Sequence, residues 1–89
     1  MQSTSQPPNI PTLLGALADR LDSKYAGKAV DERLVLAQCL VVADAAYGNT
    51  AAAETAERAL VDALPPILHG DTRAGYATRC RLTGQQVSA

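Results

Sequence analysis

Residues 31–49, DERLVLAQCLVVADAAYGN, decide the fold of this chain. Asp31 is a favourable N-cap and Gly48 or Asn49 supplies the helix end, so a second helix is predicted over residues 32–47. Projected at about 100° per residue, this helix is apolar almost all round. Such a helix is buried on more than one side. We therefore predict that it lies at the centre of an all-α bundle or that part of it meets another molecule.

The first helix is predicted over residues 11–25. Pro11 suits the first turn, where a missing N–H is not needed, and Gly27 suits the position just after the helix. Its apolar side chains repeat at helical spacing and form one stripe, which consists of Ile10, Leu13, Leu14, Leu17, Leu21 and Tyr25. This stripe is expected to face the core.

Two more helices complete the predicted bundle. One covers residues 51–64, with Thr50 as its N-cap and two prolines after it as a stop. The last is a shorter C-terminal helix over residues 73–83 that ends near Gly84. Short connections predict that helices one and two are antiparallel, as are helices two and three.

The predicted organisation is one helical domain over residues 10–84. Residues 1–9, MQSTSQPPN, offer almost nothing to bury and are expected to be a disordered tail. Residues 85–89 are expected to fray. The compact bundle is thus three long helices plus the shorter fourth one, with helix two central.

Composition limits the stability of such a domain. The chain has 89 residues, of which 47% are hydrophobic, and it contains no Trp or Phe and only three Tyr. Large aromatic side chains bury the greatest area, so a core built from Leu, Val, Ile and Ala is thin. Small domains gain little from a single core. We expect marginal stability or help from self-association.

Charge and hydropathy weigh against two classes of partner. Eight Lys plus Arg stand against nine Asp plus Glu, a net charge of −1, so the whole surface does not attract nucleic acid or anionic membrane. The longest apolar run, residues 39–43, is far shorter than a membrane span. The N-terminal residues lack the pattern of a signal peptide. We therefore expect a cytoplasmic protein without membrane association.

The sequence gives no sign of a metal site or cofactor. Cys39 and Cys80 are far apart, no CxxC motif occurs, and His69 is the only histidine, so a zinc site lacks ligands. The cysteines are expected to be reduced, buried and apolar in behaviour, and a disulfide that joins the second helix to the last is the less favoured alternative. His69 has no recognisable nucleophile or orienting partner, and no Gly-rich phosphate loop is present. We expect no cofactor and no enzymatic activity.

The favoured function is protein–protein interaction by a small regulatory or adaptor protein. It rests on the apolar second helix, the Ala-rich composition and the lack of catalytic motifs. In its concrete form, the chain forms a homodimer through Val35, Cys39, Val42 and Ala46. A different protein partner is the other form of the same hypothesis.

Two charged residues stand on the otherwise apolar second helix. Asp44 shares a face with Leu40 and Tyr47. Arg33 projects from nearly the same face, but almost three turns away, too far for direct contact. Buried carboxylates are usually paired. We expect Asp44 to reach a neighbouring backbone N–H, such as one at the start of helix three.

The alternative function is a small nucleic-acid-binding regulator that uses the C-terminal helix. Arg73, Arg79 and Arg81 give this segment a local positive excess, with only Asp71 opposing them. Basic helices contact phosphates. The three arginines fan around the helix, however, and basic residues late in a helix also suit its negative end. Nucleic acid is therefore the less favoured partner.

Overall fold

A computed structural model describes residues 8–88 of the chain and contains four α-helices. Their bounds are α1 (Ile10–Ser23), α2 (Glu32–Tyr47), α3 (Ala51–Ala63) and α4 (Arg73–Ser88). The described residues hold no β-strand beyond one isolated bridge between Ala29 and Thr72. The predicted all-α bundle is therefore confirmed.

Capping explains where the helices begin. The side chain of Asp31 accepts a hydrogen bond from the Leu34 backbone N–H at 2.8 Å, as its N-cap position requires. Asn9 caps α1 in the same way, accepting from the Thr12 N–H at 3.1 Å. Thr50 stands at the N-cap of α3, but its hydroxyl donates to the Tyr47 carbonyl instead.

The central helix is α1, so the prediction that helix two is central is wrong. Helix α1 packs against each of the other three helices and most extensively against α4, whereas α2 packs mainly against α3 and α1. Helix α1 is central because it buries side chains at neighbouring positions as well as at positions one turn apart, so two of its sides face the core. Its buried side chains are Leu13, Leu14, Leu17, Ala18 and Leu21.

Helix α4 is longer than predicted. It has 16 residues, as many as α2, and continues to Ser88 instead of ending near Gly84. Residues 85–88, where a frayed end is predicted, therefore belong to the helix. Gly84 is buried where α4 crosses the start of α1, and a Cβ added there would lie 3.4 Å from Pro11 Cα. This glycine belongs to a helix contact and does not end the helix.

The connection after α1 differs from the predicted one at Tyr25. Helix α1 ends at Ser23, and Tyr25, rather than Gly27, takes the left-handed conformation, with φ of 55°. The Tyr25 side chain is 64% exposed, so it is not part of the buried stripe of α1. The chain has already left the helix at this point, and its ring therefore points away from the core.

The predicted disordered tail covers residues 1–9. Residues 1–7 lie outside the described part of the chain, and Asn9 is the N-cap of α1. None of the helices within residues 8–88 combines the length and apolar character needed to cross a bilayer.

Candidate functional site

Three of the four residues predicted to form a homodimer interface lie in the core. Val35, Cys39 and Val42 are all buried, and only Ala46 is exposed. Their side chains face α1 and α3, which cover this side of α2. The prediction of an interface through these residues is therefore wrong, because three of the four side chains are already buried inside the monomer. Sequence periodicity alone did not say which apolar side of α2 the bundle covers.

The opposite side of α2 is exposed, and we call it the outer face of α2. Three large apolar side chains on it remain in contact with solvent: Leu36 is 39% exposed, Leu40 is 47% exposed and Val41 is 39% exposed. Exposed Ala37 lies among them. The complete outer face is Arg33, Leu36, Ala37, Leu40, Val41 and Asp44, which helical geometry places on one side of the helix.

The two ends of the outer face carry opposite charges. Arg33 lies in the first turn of α2 and Asp44 in its last turn. Neither side chain forms an ion pair with any residue in the described part of the chain. The expectation that the Asp44 carboxylate reaches the start of α3 is not met; it is the Asp44 backbone carbonyl that accepts, from the Gly48 N–H at 2.8 Å.

Shallow grooves run along both sides of the outer face. The groove towards α1, of about 260 Å³, is mostly apolar and is lined by Thr12, Leu13, Ala16, Arg20, Val42, Ala45 and Ala46. The groove towards α3, of about 420 Å³, is lined by Glu32, Val35, Leu36, Val61, Leu64, Pro65, Pro66, Ile67 and Tyr76. The outer face is thus a low apolar ridge between two depressions, a shape that suits contact with another helix.

Two of the three arginines proposed to bind nucleic acid are held by carboxylates of the same chain. Arg81 donates to Asp19 at 2.8 Å and to Asp22 at 2.9 Å, both on α1. Hydrogen bonds to Asp22 and Asp19 raise the pKa of the Arg81 guanidinium above its ordinary value. Arg79 forms an ion pair with Asp71 and lies over the ring of Tyr76. Both charges are largely neutralised.

The third arginine lies elsewhere. Arg73 donates from Nε to the Ala29 carbonyl at 3.3 Å, and its guanidinium lies 5.9 Å from the centroid of the Tyr25 ring. The three arginines therefore do not form one phosphate-binding surface. Sequence reasoning considered Asp71 but missed the carboxylates of α1, because they are about 60 positions from Arg81 and only the packing of α1 on α4 joins them.

The cysteines are buried, as predicted, and both thiols are free. Burial raises the pKa of Cys39 from 9.0 to about 12 and that of Cys80 from 9.0 to about 11. Because the thiolate is the reactive form, neither residue suits a nucleophilic role near neutral pH.

His69 lies exposed in the turn before α4. That turn is held by Asp71, whose carboxylate accepts from the Leu68 N–H at 2.8 Å. Within residues 8–88, no group of three or more His, Cys, Asp or Glu side chains is arranged to hold a metal ion.

Comparison with protein-family models, with curated proteins and with solved structures found no match to this chain.

Proposed function

We propose that this chain is a non-enzymatic protein–protein interaction protein, and that its partner is a second copy of itself bound through the outer face of α2. The observation that carries the proposal is the order of residues along that face. It reads Arg33, Leu36, Ala37, Leu40, Val41, Asp44, with a positive charge at one end, a negative charge at the other and apolar residues between them.

This order is self-complementary when two α2 helices pack antiparallel about a two-fold axis. When the two-fold axis crosses α2 at the level midway between Gln38 and Cys39, Arg33 of each copy meets Asp44 of the other. Ala37 then meets Leu40 of the other copy, while Leu36 and Val41 lie on opposite sides of this row of contacts. In a two-fold interface every contact occurs twice, so a single helix face supplies both halves. The small Ala37 side chain leaves room for the larger one opposite it.

The spacing along the face also fits helix pairing. Arg33, Ala37, Leu40 and Asp44 follow one another at intervals of four, three and four, the repeat that forms the seam between two packed helices. Leu36 and Val41 flank that seam. In a parallel pair, like charges would meet at both ends of the interface. Electrostatics therefore favours the antiparallel arrangement.

The charges are also placed against the preference of an isolated helix. A helix stabilises anions near its N-terminus and cations near its C-terminus. Arg33 and Asp44 reverse that order, although Asp31 and Glu32 follow it at the same end. Association provides each charge with a partner of opposite sign, which the folded monomer does not provide.

The expected dimer is weak. Four apolar side chains of moderate size bury less than the roughly 1,200–2,000 Å² that stable interfaces typically bury. A dissociation constant on the order of 10 µM or weaker follows for an interface of this size. Such a dimer exchanges readily, which suits the regulatory or adaptor role inferred from the sequence. Free, reduced thiols agree with action in the cytoplasm, which we include in the proposal.

Sedimentation velocity over a range of concentrations tests the proposal. The wild-type chain should shift from monomer towards dimer as its concentration rises into the high micromolar range. Leu40→Glu should abolish the shift, because it places a charge at the centre of the apolar contact. Leu82→Glu is the matched control, since Leu82 is 50% exposed on α4 and lies off the outer face. It should dimerise like the wild type.

Either of two results would remove the proposal. One is a wild-type chain that remains monomeric at every concentration. The other is a dimer that Leu40→Glu and Leu82→Glu weaken equally, which would place the interface elsewhere. Melting temperatures of both variants, measured at low concentration, establish that the folded monomer is intact, because surface substitutions usually change stability by less than about 0.5 kcal/mol.

A further inference from the structure

Half of the cationic side chains of this protein gather around one exposed tyrosine. Arg20, Lys24 and Arg73 line a cleft of about 390 Å³ together with Tyr25, and Lys28 places its Nζ 5.0 Å from the centroid of the Tyr25 ring. The chain has eight Lys and Arg in total, so this is its main concentration of positive charge. It lies at the end of α1, and Leu34 and Gln38 of α2 complete its lining.

No acidic side chain lines this cleft. Asp22 binds Arg81 and Asp71 binds Arg79, so these two carboxylates pair with arginines that do not line the cleft. None of the four cationic side chains around Tyr25 forms an ion pair within residues 8–88. Arg20 donates to Gln38 at 2.5 Å, a neutral partner that orients the guanidinium without cancelling its charge.

Part of the lining of the cleft is apolar. Buried Leu21 and half-buried Leu34 line it together with the cationic side chains, and Tyr25 lines it as well. A ligand that fits both parts carries an anionic group and a flat, poorly hydrated ring. Base rings stacked on aromatic side chains beside cationic groups are a common way to hold nucleotides.

The backbone holds Tyr25 in a conformation that bulky residues rarely adopt. Its φ of 55° lies in the left-handed region, which is an outlier for an aromatic residue. Hydrogen bonds fix the turn: the Lys28 N–H donates to the Tyr25 carbonyl, the Ala74 N–H to Ala26 and the Arg73 N–H to Lys28, each at 2.9 Å. Residues that their surroundings hold in such a conformation cluster at active sites, ligand-binding sites and switch regions.

We propose that this cleft binds a nucleotide, with the phosphate on its cationic side chains and the ring against Tyr25 and the apolar part of the lining. A free mononucleotide and the 5′-phosphorylated end of a nucleic-acid strand present the same chemistry. This site differs from the predicted one on α4. Only Arg73 lines the cleft, and the other two arginines of the prediction, Arg79 and Arg81, do not. It also uses residues other than those of the outer face of α2, none of which lines the cleft.

The test is a ¹H–¹⁵N NMR titration of the full chain at low concentration, with AMP, inorganic phosphate and a 5′-phosphorylated thymidine tetranucleotide as separate probes. AMP at millimolar concentration should give saturable shifts centred on the residues of the cleft. AMP should bind more tightly than inorganic phosphate, since phosphate lacks the ring. Equal affinity for AMP and phosphate would overturn the assignment, as would the absence of shifts with all three probes.

The tetranucleotide decides the source of the ligand. Affinity equal to that of AMP indicates a free mononucleotide. Much tighter binding that weakens steeply with salt indicates a strand end, because each further phosphate contact releases counterions. Both results support the cleft as the site, provided that the shifts centre on it.

Variants separate specific binding from general charge attraction. Lys24→Gln should weaken AMP binding about threefold to fivefold, the usual range for one exposed charge. Arg58→Gln removes an exposed charge on α3 and is the matched control, which should bind AMP like the wild type. Equal weakening in both variants would overturn the proposal.

A second substitution tests the tyrosine without unfolding the turn. Asn tolerates the left-handed conformation, so Tyr25→Asn should keep or raise the melting temperature. The same variant should lose the difference in affinity between AMP and phosphate, because the ring that the base contacts is gone. A Tyr25→Asn chain that still prefers AMP to the same extent would show that Tyr25 has no part in binding.

Discussion

Arg33 and Asp44 lie on the same outward face of α2, one in its first turn and the other in its last. Each charge has the same sign as the partial charge at its own end of the helix, which is unfavourable. In the folded monomer neither has an ion-pair partner among the described residues. The two residues therefore lower the stability of the free chain, and association about a two-fold axis gives each of them a compensating contact.

The first prediction concerns the stability of the monomer. The double substitution Arg33→Asp/Asp44→Arg should raise the free energy of unfolding by about 1 kcal/mol, because both charges then agree with the helix dipole. Urea unfolding at a concentration too low for association measures the change. High salt should shrink the gain, since such interactions are screened. A double variant less stable than the wild type would show that Arg33 and Asp44 do not interact unfavourably with the helix dipole.

The second prediction concerns the crossing of α1 and α4. A Cβ on Gly84 would lie 3.4 Å from Pro11 Cα, an ordinary contact, so Gly84→Ala should be neutral or gain up to about 1 kcal/mol from helix propensity. Gly84→Leu overfills the contact and should cost about 1–3 kcal/mol. Thermal unfolding compares the two.

Gly15 supplies the reference for that comparison. It lies in α1 with nothing within 4 Å of an added Cβ, so Gly15→Ala reports helix propensity alone. If Gly84→Leu melts at the same temperature as Gly84→Ala, the two helices do not meet closely at this position.

The third prediction concerns the thiols. Cys39 and Cys80 are buried, so iodoacetamide should not modify them in the folded protein at about pH 8. At that pH an exposed thiol with an ordinary pKa reacts readily. Both should be alkylated after unfolding in guanidinium, which mass spectrometry detects as two added groups. Modification of either residue at the rate of a free thiol in the native protein would contradict its burial.

The fourth prediction concerns alkaline pH. Burial raises the pKa of Cys39 to about 12 and that of Cys80 to about 11, from 9.0 for both. As the pH rises above 9.0, the unfolded chain releases thiol protons that the folded chain retains, so unfolding becomes more favourable. Stability should therefore fall between about pH 9 and pH 12, progressively.

A double Cys39→Ala/Cys80→Ala variant is the control for that experiment. Tyrosines and lysines also titrate at alkaline pH, but this variant retains all of them. It should lose less stability than the wild type over the same interval. Parallel losses in the two proteins would show that the thiols do not contribute.

The sequence was sufficient for the fold class and for most helix bounds. Helical repeats of Leu and Ala, together with caps such as Asp31, predict four helices, and the structure has them. Its errors occur where tertiary contacts override local preference. Gly84 favours a helix end, yet it continues α4 because it packs against α1. Tyr25 continues the apolar stripe by spacing, yet the turn removes it from the helix.

The candidate sites were less predictable for a related reason. Periodicity identifies α2 as apolar on several sides but cannot say which side the bundle leaves exposed. Val35 and Val42 are buried in the core, whereas Leu36 and Leu40 are exposed. The cleft around Tyr25 brings together residues of α1, α2 and α4, and no local pattern joins them. The Arg33–Asp44 pair was visible in the sequence, but its meaning depends on which face is exposed.

The most direct test of the central claim is to mix two charge variants and measure their association by sedimentation velocity. Arg33→Asp alone and Asp44→Arg alone should each dimerise more weakly than the wild type, because like charges then meet at both ends of an antiparallel interface. Mixed in equal amounts they should form a heterodimer, since both ends of one chain are negative and both ends of the other are positive. Two variants that each dimerise as well as the wild type, or a mixture that associates no better than its components, would contradict the proposed interface.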